Sequence, residues 1–484
     1  MKARPLLLCA ALAGCTTVGP NYHRPDIPVP STYVEPHATN TPDAALTQWW
    51  AGFGDRQLSR LIALALVQNL DVEAAAERIR EARAAEREAG AAALPEVDAQ
   101  TSYSRQRISE NAIPIPPLGV GTPGGGAGFA LPGTEFSTFR VGFDASWELD
   151  LFGGTRRSIE AAKARTGAAI WNRRDAEVTI AAEVAQSYLA LRTVQQRLVN
   201  ARAELERQQR FEHLVAARTR GGLVTGQDLA QQQSERSAAA GAIPVLDAQA
   251  KAEIHALGVL VGSPPETLAA ELAPIAELPN APIIPAGLPS DLLRRRPDIR
   301  TAERNLAAST ADIGVAVADL YPRISLTAVP SLISTALGSL LEWGSRNYSA
   351  GPSFSWPLFD GGRRRATVEV RNAQQQVALV QYRKSVLTAL EDVENALSRI
   401  AADRAQISDL QQSLVAAGQA EDVARERYRG GLVTYSDVLV AQAQRLKMEG
   451  NVVDARGTLA RDTVSLAKAL GGGWSDTAQP GASR

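Results

Sequence analysis

The sequence is poor in the residues that most often carry chemistry. Its four histidines, His23, His37, His213 and His255, are scattered over 484 residues, and its two cysteines, Cys9 and Cys15, both fall in the first fifteen. No zinc-type cluster, thiol pair or disulfide framework can be assembled from such positions. A formal net charge of −1 provides no basic field, which argues against a nucleic-acid partner. Beyond the N-terminus there is no run of about 18 apolar residues, so a membrane helix is not expected and any further crossing would have to use strands. What the chain does have is 45% hydrophobic residues, enough to bury a core.

The N-terminus carries a specific signal. Lys2 and Arg4 precede the short apolar run PLLLCAALA, and LAGC ends on Cys15, as a secretory signal would. That ending resembles a bacterial lipobox. The resemblance implies cleavage of residues 1–14 and a covalent lipid on Cys15. Thr16, where an Asp would favour retention at the inner membrane, implies the outer membrane. Residues 15–54 are rich in proline and polar residues without a period, and read as a lipidated tether extended on the surface.

From Asp55 onward one program runs twice. The hexapeptide RGGLVT stands at Arg220 to Thr225 and again at Arg429 to Thr434, 209 residues later, and SWELDLFGGTRR is answered by SWPLFDGGRRR. A first repeat over 55–261 reads as a short helix, a helix over 71–93, strands over 97–106 and 136–152, a long helix over 157–218 and a shorter one over 227–261. The segment 262–293, with seven prolines, reads as a linker. A second repeat over 294–470 has a helix over 294–322, strands over 323–334 and 346–359 and a long helix over 364–428, followed by a flexible tail over 471–484.

The long helix would reach about 93 Å at 1.5 Å per residue. Its seam is expected at Ala181, Val184, Tyr188, Leu191, Gln195, Leu198 and Leu205, spaced by three and four as in a coiled coil. The helices over 71–93 and 227–261 together nearly match its length, which predicts that they stack end to end beside it.

In the strands the period changes to two. Phe139, Val141, Phe143, Ala145, Trp147, Leu149 and Leu151 alternate with polar residues, and Tyr348, Ala350, Phe354, Trp356 and Leu358 share one face in the second half. Residues 136–152 and 343–359 each hold five aromatics, which suits membrane-interface girdles, although a soluble layer with an aromatic core would show the same period. Strands of this length can span lipid, but four cannot close a barrel. If these strands lie in lipid, several chains must share one barrel.

Five segments carry a family resemblance: GCTTVGPNYHRPDIPVP, WWAGFGDRQLSRLI, LLRRRPDIRTAERNLAASTADIGVAVADLYPRISL, GPSFSWPLFDGGRRRA and YRGGLVTYSDVLVAQAQR. Together they resemble the outer-membrane efflux lipoproteins of the TolC-like superfamily, the OprM or NodT group, from the lipobox to about Leu470. The resemblance implies a mainly α fold with a β-barrel portion. Three chains would give twelve strands in one outer-membrane barrel and a periplasmic tunnel of long helical coiled-coil hairpins. It also implies a passive channel for drugs or other small molecules, fed by an inner-membrane pump of the resistance-nodulation-division (RND) type through a periplasmic adaptor.

In such channels the adaptor docks on the hairpin tips, which places Gly222, Leu223, Val224 and Thr225 with Gly431, Leu432, Val433 and Thr434 in a sixfold docking rim. Some relatives ring a closed aperture with a Leu and an Asp at positions matching Ser436 and Val440 here, so this sequence departs from that pattern. The nearest carboxylate is Asp437, answered by Asp228. It either forms a threefold ring held by Arg427 or Arg429, or is a first-turn acid favoured by the helix dipole.

Enzyme chemistry has no support. The acidic residues fall on solvated helix faces, and GVGTPGGGAG lacks the Gly-Lys-Ser/Thr that completes a phosphate loop. Neither a metal nor any cofactor beyond the lipid is implied. The competing reading is a pore-less periplasmic coiled-coil lipoprotein acting as adaptor or scaffold.

Overall fold

A computed structural model describes residues 17–35, 46–109 and 135–474. Cys15, the glycine-rich stretch in the connection between the first two strands and residues 475–484 lie outside them. The chain divides into two compact units. One comprises Met1–His23, Arg83–Ala164 and Ala307–Val377 and contains the sheet. The other, of Arg24–Ala82, Arg165–Leu306 and Ala378–Arg484, is helical. None of the described helices is long and apolar enough to cross a membrane.

The first half runs α1 (Arg56–Gln68), α2 (Leu70–Ala91), β1 (Glu96–Arg107), β2 (Glu135–Leu149), α3 (Gly154–Arg220) and α4 (Gly226–Leu260). The connecting segment adds two short helices, α5 (Ala269–Leu272) and α6 (Pro289–Arg295). The second half runs α7 (Pro297–Ala318), β3 (Arg323–Ser334), β4 (Arg346–Ser355), α8 (Arg363–Arg429) and α9 (Tyr435–Ala469). The long helices have 67 residues each and the returning helices 35 each, so the two hairpins match in length.

The core of the helical unit gathers Leu58, Leu61 and Ile62 of α1, Tyr188 and Leu191 of α3, Leu257 of α4, Leu272 of α5 and Val464 of α9. Trp49, Trp50 and Phe53 are buried in it. The segment expected as a surface tether is therefore packed at both described ends. Tyr33 is buried, the Val34 N–H donates to Glu394 at 2.8 Å, and the aromatic side chains gain more from burial than their proline-rich neighbours gain from solvent. The first four residues of the expected tail, 471–474, are tied down in the same way. Gly471 to Gly473 are buried, and Trp474 donates its indole N–H to the Arg295 carbonyl at 3.1 Å and stands edge-on to Trp171.

Three boundaries differ from expectation, each with a local cause. The helix expected over 294–322 is broken at Arg296 (ψ 119°), because a residue before proline avoids the helical region, and Pro297 opens α7. β2 stops at Leu149, since Asp150 turns to accept the Arg156 N–H at 2.9 Å near the start of α3. β4 stops at Ser355, two residues before Pro357, which has no N–H for a ladder.

The expected end-to-end stacking is present and is built twice. Asn69, just before α2, donates to the carbonyl of Leu260 at the end of α4 at 2.8 Å. Arg296, just before α7, donates to the carbonyl of Ala469 at the end of α9 at 3.0 Å. Gly262 and Gly471 complete the two joints at φ +72° and +70°. A Cβ on Gly262 would meet the Gln68 carbonyl at 2.1 Å, and one on Gly471 the Arg295 carbonyl at 3.0 Å.

In the sheet unit the strands pair antiparallel in the order β1-β2-β3-β4. Trp147 and Trp356 donate their indole N–H groups to the carbonyls of Ala93 and Leu320, each two residues before a proline, so both halves tie the foot of a strand to the end of a helix.

Candidate functional site

At the tip of the first hairpin, α3 ends in a left-handed Gly222 (φ +70°), and the Leu223 N–H returns to the Arg218 carbonyl at 2.9 Å. Gly431 (φ +72°) and the Leu432 to Arg427 bond at 2.9 Å repeat this in the second. These are helix stops of the Schellman kind, which only glycine enters without strain. The returning helices start with matched caps. Thr225 donates its N–H to Asp228 at 2.9 Å, and Thr434 donates its own to Asp437 at 2.8 Å. The hydrogen bonds from Thr434 hold the Asp437 carboxyl below the usual range.

The candidate docking residues therefore divide. Leu223 and Leu432 stand exposed at the two ends, 74% and 78% open, while Val224 and Val433 turn inward against Tyr428, Tyr435 and Val438. Asp437 lies beside Ser436 and Val440 on the exposed side of α9. Neither expected arginine is placed on it: Arg429 pairs with Glu426 at 2.6 Å, and Arg427 is exposed.

Above the tips the two hairpins are cross-linked by buried polar groups. Arg218 of α3 packs its guanidinium over Tyr428 and donates to the Arg429 carbonyl at 3.2 Å. Tyr435 of α9 donates to Gln232 of α4, which in turn bonds Gln208 of α3 at 2.7 Å. Glu204 accepts from Gln208 at 2.7 Å and from Gln442 of α9 at 2.5 Å, and lies 3.3 Å from Arg445. Arg445 also meets Glu421 of α8 and Glu449. Burial pulls the Arg445 guanidinium pKa down, but Glu421, Glu449 and Glu204 more than offset it and keep it charged.

The expected seam is buried from Ala181 to Leu198, but Leu205 is only half-buried and Glu204 takes its place. Two successive steps of three, Leu198 to Ala201 to Glu204, shift the seam by one residue, as a stammer does in a coiled coil. The glutamate, the glutamines and Arg445 were not selected from the sequence. The available signal was polar residues recurring at three-and-four spacing just above each RGGLVT.

In the sheet unit the register places one apolar face across all four strands. Ala99 pairs with Phe143 and Tyr103 with Phe139, Trp147 with Leu326 and Leu149 with Ile324, then Ile324 with Phe354 and Pro330 with Tyr348. Many of these side chains are open in the single chain, among them Phe143 at 56% and Tyr348 at 83%. The opposite face carries Asp98, Gln100, Arg140, Asp144, Glu148 and serines of β3 and β4. Such a contiguous apolar surface on a chain calls for a lipid or protein cover. Among the described residues no cluster of potential metal ligands occurs.

A family model described as outer membrane efflux protein matches residues 61–263 and 288–472, most of the chain. The chain belongs to the outer membrane efflux protein family. The pyoverdine export outer membrane protein OpmQ of Pseudomonas aeruginosa is 33% identical over 99% of this chain and 98% of its own length. Nodulation protein T of Rhizobium leguminosarum bv. viciae is 32% identical over 97% of this chain and 92% of its own. The solved structure of the outer-membrane channel OprN superposes with a TM-score of 0.84 at 32% identity, covering 95% of this chain and all of that one. This outer membrane efflux protein thus has the TolC-like fold, mainly helical with a small antiparallel sheet, and belongs with transporters rather than enzymes.

Proposed function

We propose that three copies of the chain form one outer-membrane channel that passively conducts drugs or other small molecules delivered by an inner-membrane pump, of RND type, through a periplasmic adaptor. The observation that carries this reading is the sheet: one exposed apolar face runs through four strands whose outer edges, on β1 and β4, have no partner strand among the described residues. Open edges are not tolerated in lipid, and closing them with further copies gives twelve strands from three chains. The names of relatives support the cargo class, since they include pyoverdine export and toluene efflux proteins. Cys15 would carry the lipid anchor, the tips the adaptor contacts, and the exposed side of α9 at Ser436, Asp437 and Val440 the aperture. In the test, the chain is extracted in detergent, run unboiled on a gel and recorded in planar bilayers. A trimer band with stable single-channel steps is expected. A monomer released without detergent after delipidation would defeat the reading and favour a pore-less scaffold.

A further inference from the structure

Both long helices begin with arginines where helices ordinarily prefer acids: Arg156 and Arg157 in α3, and Arg363, Arg364 and Arg365 in α8, with no acid in either first turn. A cation at the positive end of the helix dipole is unfavourable unless something nearby compensates it. Most of these arginines are compensated within the sheet unit. Arg157 is buried and donates to the Val18 and Gly19 carbonyls, both at 3.2 Å, and to the Asn21 side chain at 2.7 Å. Arg156 pairs with Asp150 at 3.2 Å. Arg364 donates to the Asp319 carbonyl at 2.5 Å and lies 3.7 Å from Asp360, while Arg323 pairs with Asp319 at 2.6 Å. Arg363 and Arg365 are exposed, and neither side chain has an acidic partner among the described residues.

Their surroundings show what kind of anion would suit them. Five and four residues before Arg363 the chain presents Leu358 and Phe359, 83% and 92% exposed, and Trp356 is half-open at the foot of β4. Aromatic and aliphatic side chains followed by guanidinium groups are the composition of a membrane interface, with the apolar residues toward the acyl chains and the arginines at headgroup level. The N-terminal strap ends at the same part of the unit. The Val18 N–H donates to the Phe152 carbonyl at 3.0 Å and Thr17 packs on Gly153. A planar guanidinium fork matches a phosphate better than any other common headgroup group.

We propose that Arg363 and Arg365, beside Leu358 and Phe359, form a seat for the phosphate headgroups of acidic phospholipids in the leaflet from which the helices emerge. The seat rests on the channel reading only for its placement in that leaflet. The full-length protein is purified, mixed with phosphatidylglycerol or phosphatidylethanolamine micelles, and the retained lipids are counted by native mass spectrometry. The native protein should prefer phosphatidylglycerol. R363Q/R365Q should lose that preference on the order of tenfold, and R363K/R365K should keep much of it. Conductance in phosphatidylethanolamine bilayers should be the same for native protein and R363Q/R365Q. Equal phosphatidylglycerol retention by native and R363Q/R365Q would overturn the seat. So would failure of R363Q/R365Q to form trimers in either lipid, which would show that these arginines face another copy of the chain. Absence of conductance from native protein that still prefers phosphatidylglycerol would count against the channel alone.

Discussion

At Asp403 on α8 a carboxyl group is nearly buried with Asp462 of α9 beside it and with Arg399 and Arg461 near. Burial, and then the Asp462 charge, pushes its pKa up to about 6. An aspartate in the unfolded chain titrates near ~3.9, so between these values the folded protein binds the extra proton. The stabilisation from this group is complete below about pH 4 and is lost as the pH rises through about 6. Asp403→Asn should therefore melt above the native protein at about pH 8 and lose that advantage at about pH 4, as followed by circular dichroism. An equal shift at both pH values would refute the assignment. At this scale the sequence was legible where a role is local. Thr225 with Asp228, and Thr434 with Asp437, could be paired from a spacing of three, and the structure pairs them. Arg157 and Trp474 were not legible, since their partners lie 139 and 179 positions away and no periodicity announces them.

Helix ends set by glycine were readable, since the paired glycines stop the long helices, whereas the expected helix over 294–322 ran through Pro297, which opens α7, and the expected strand over 136–152 ran past Asp150. Seam positions were readable only while the three-four rhythm held. Beyond Leu198 the one-residue slip exchanges an expected Leu205 for Glu204, and a buried charge network replaces an apolar stripe. Its centre is Arg445, against Glu204, Glu421 and Glu449. Removing a single partner from such a network leaves uncompensated buried charge, so Arg445→Met should cost about 3–5 kcal/mol in urea unfolding. The matching pair in the other hairpin, Arg236 with Glu212 at 2.9 Å, is more open, and Arg236→Met should cost less than about 1 kcal/mol. Similar losses at the two positions would show that the network contributes no more than a surface pair.

For the molecule as a whole, the order and type of the elements followed from two periods and one repeat, whereas how far the termini pack did not. Proline-rich composition predicts an extended backbone but not whether that backbone lies against a core, and Trp49, Trp50 and Phe53 found theirs through partners distant in sequence. In the proposed assembly, adaptor docking falls to the tips. Tryptophan at Gly222 or Gly431 would strain a left-handed backbone as well as block a surface, so Leu223→Asp with Leu432→Asp is the cleaner substitution. In the proposed assembly this double variant should keep its trimer band and bilayer conductance, yet lose adaptor capture in a pull-down by roughly tenfold or more. Normal capture by intact trimers would remove the tips from the docking surface.

The cross-link at Arg445 bears on symmetry. A chain that writes one hairpin twice could present two interchangeable tips, and three such chains would then offer six equal places. Arg445 reaches across to Glu204 of the first hairpin, while Arg236, its counterpart, pairs with Glu212 inside its own. That unequal bond, with the Tyr435–Gln232 and Gln442–Glu204 bonds beside it, gives the two hairpins different identities. In the proposed trimer the rim would then repeat every third of a turn, and a partner bound there would meet two kinds of site in alternation.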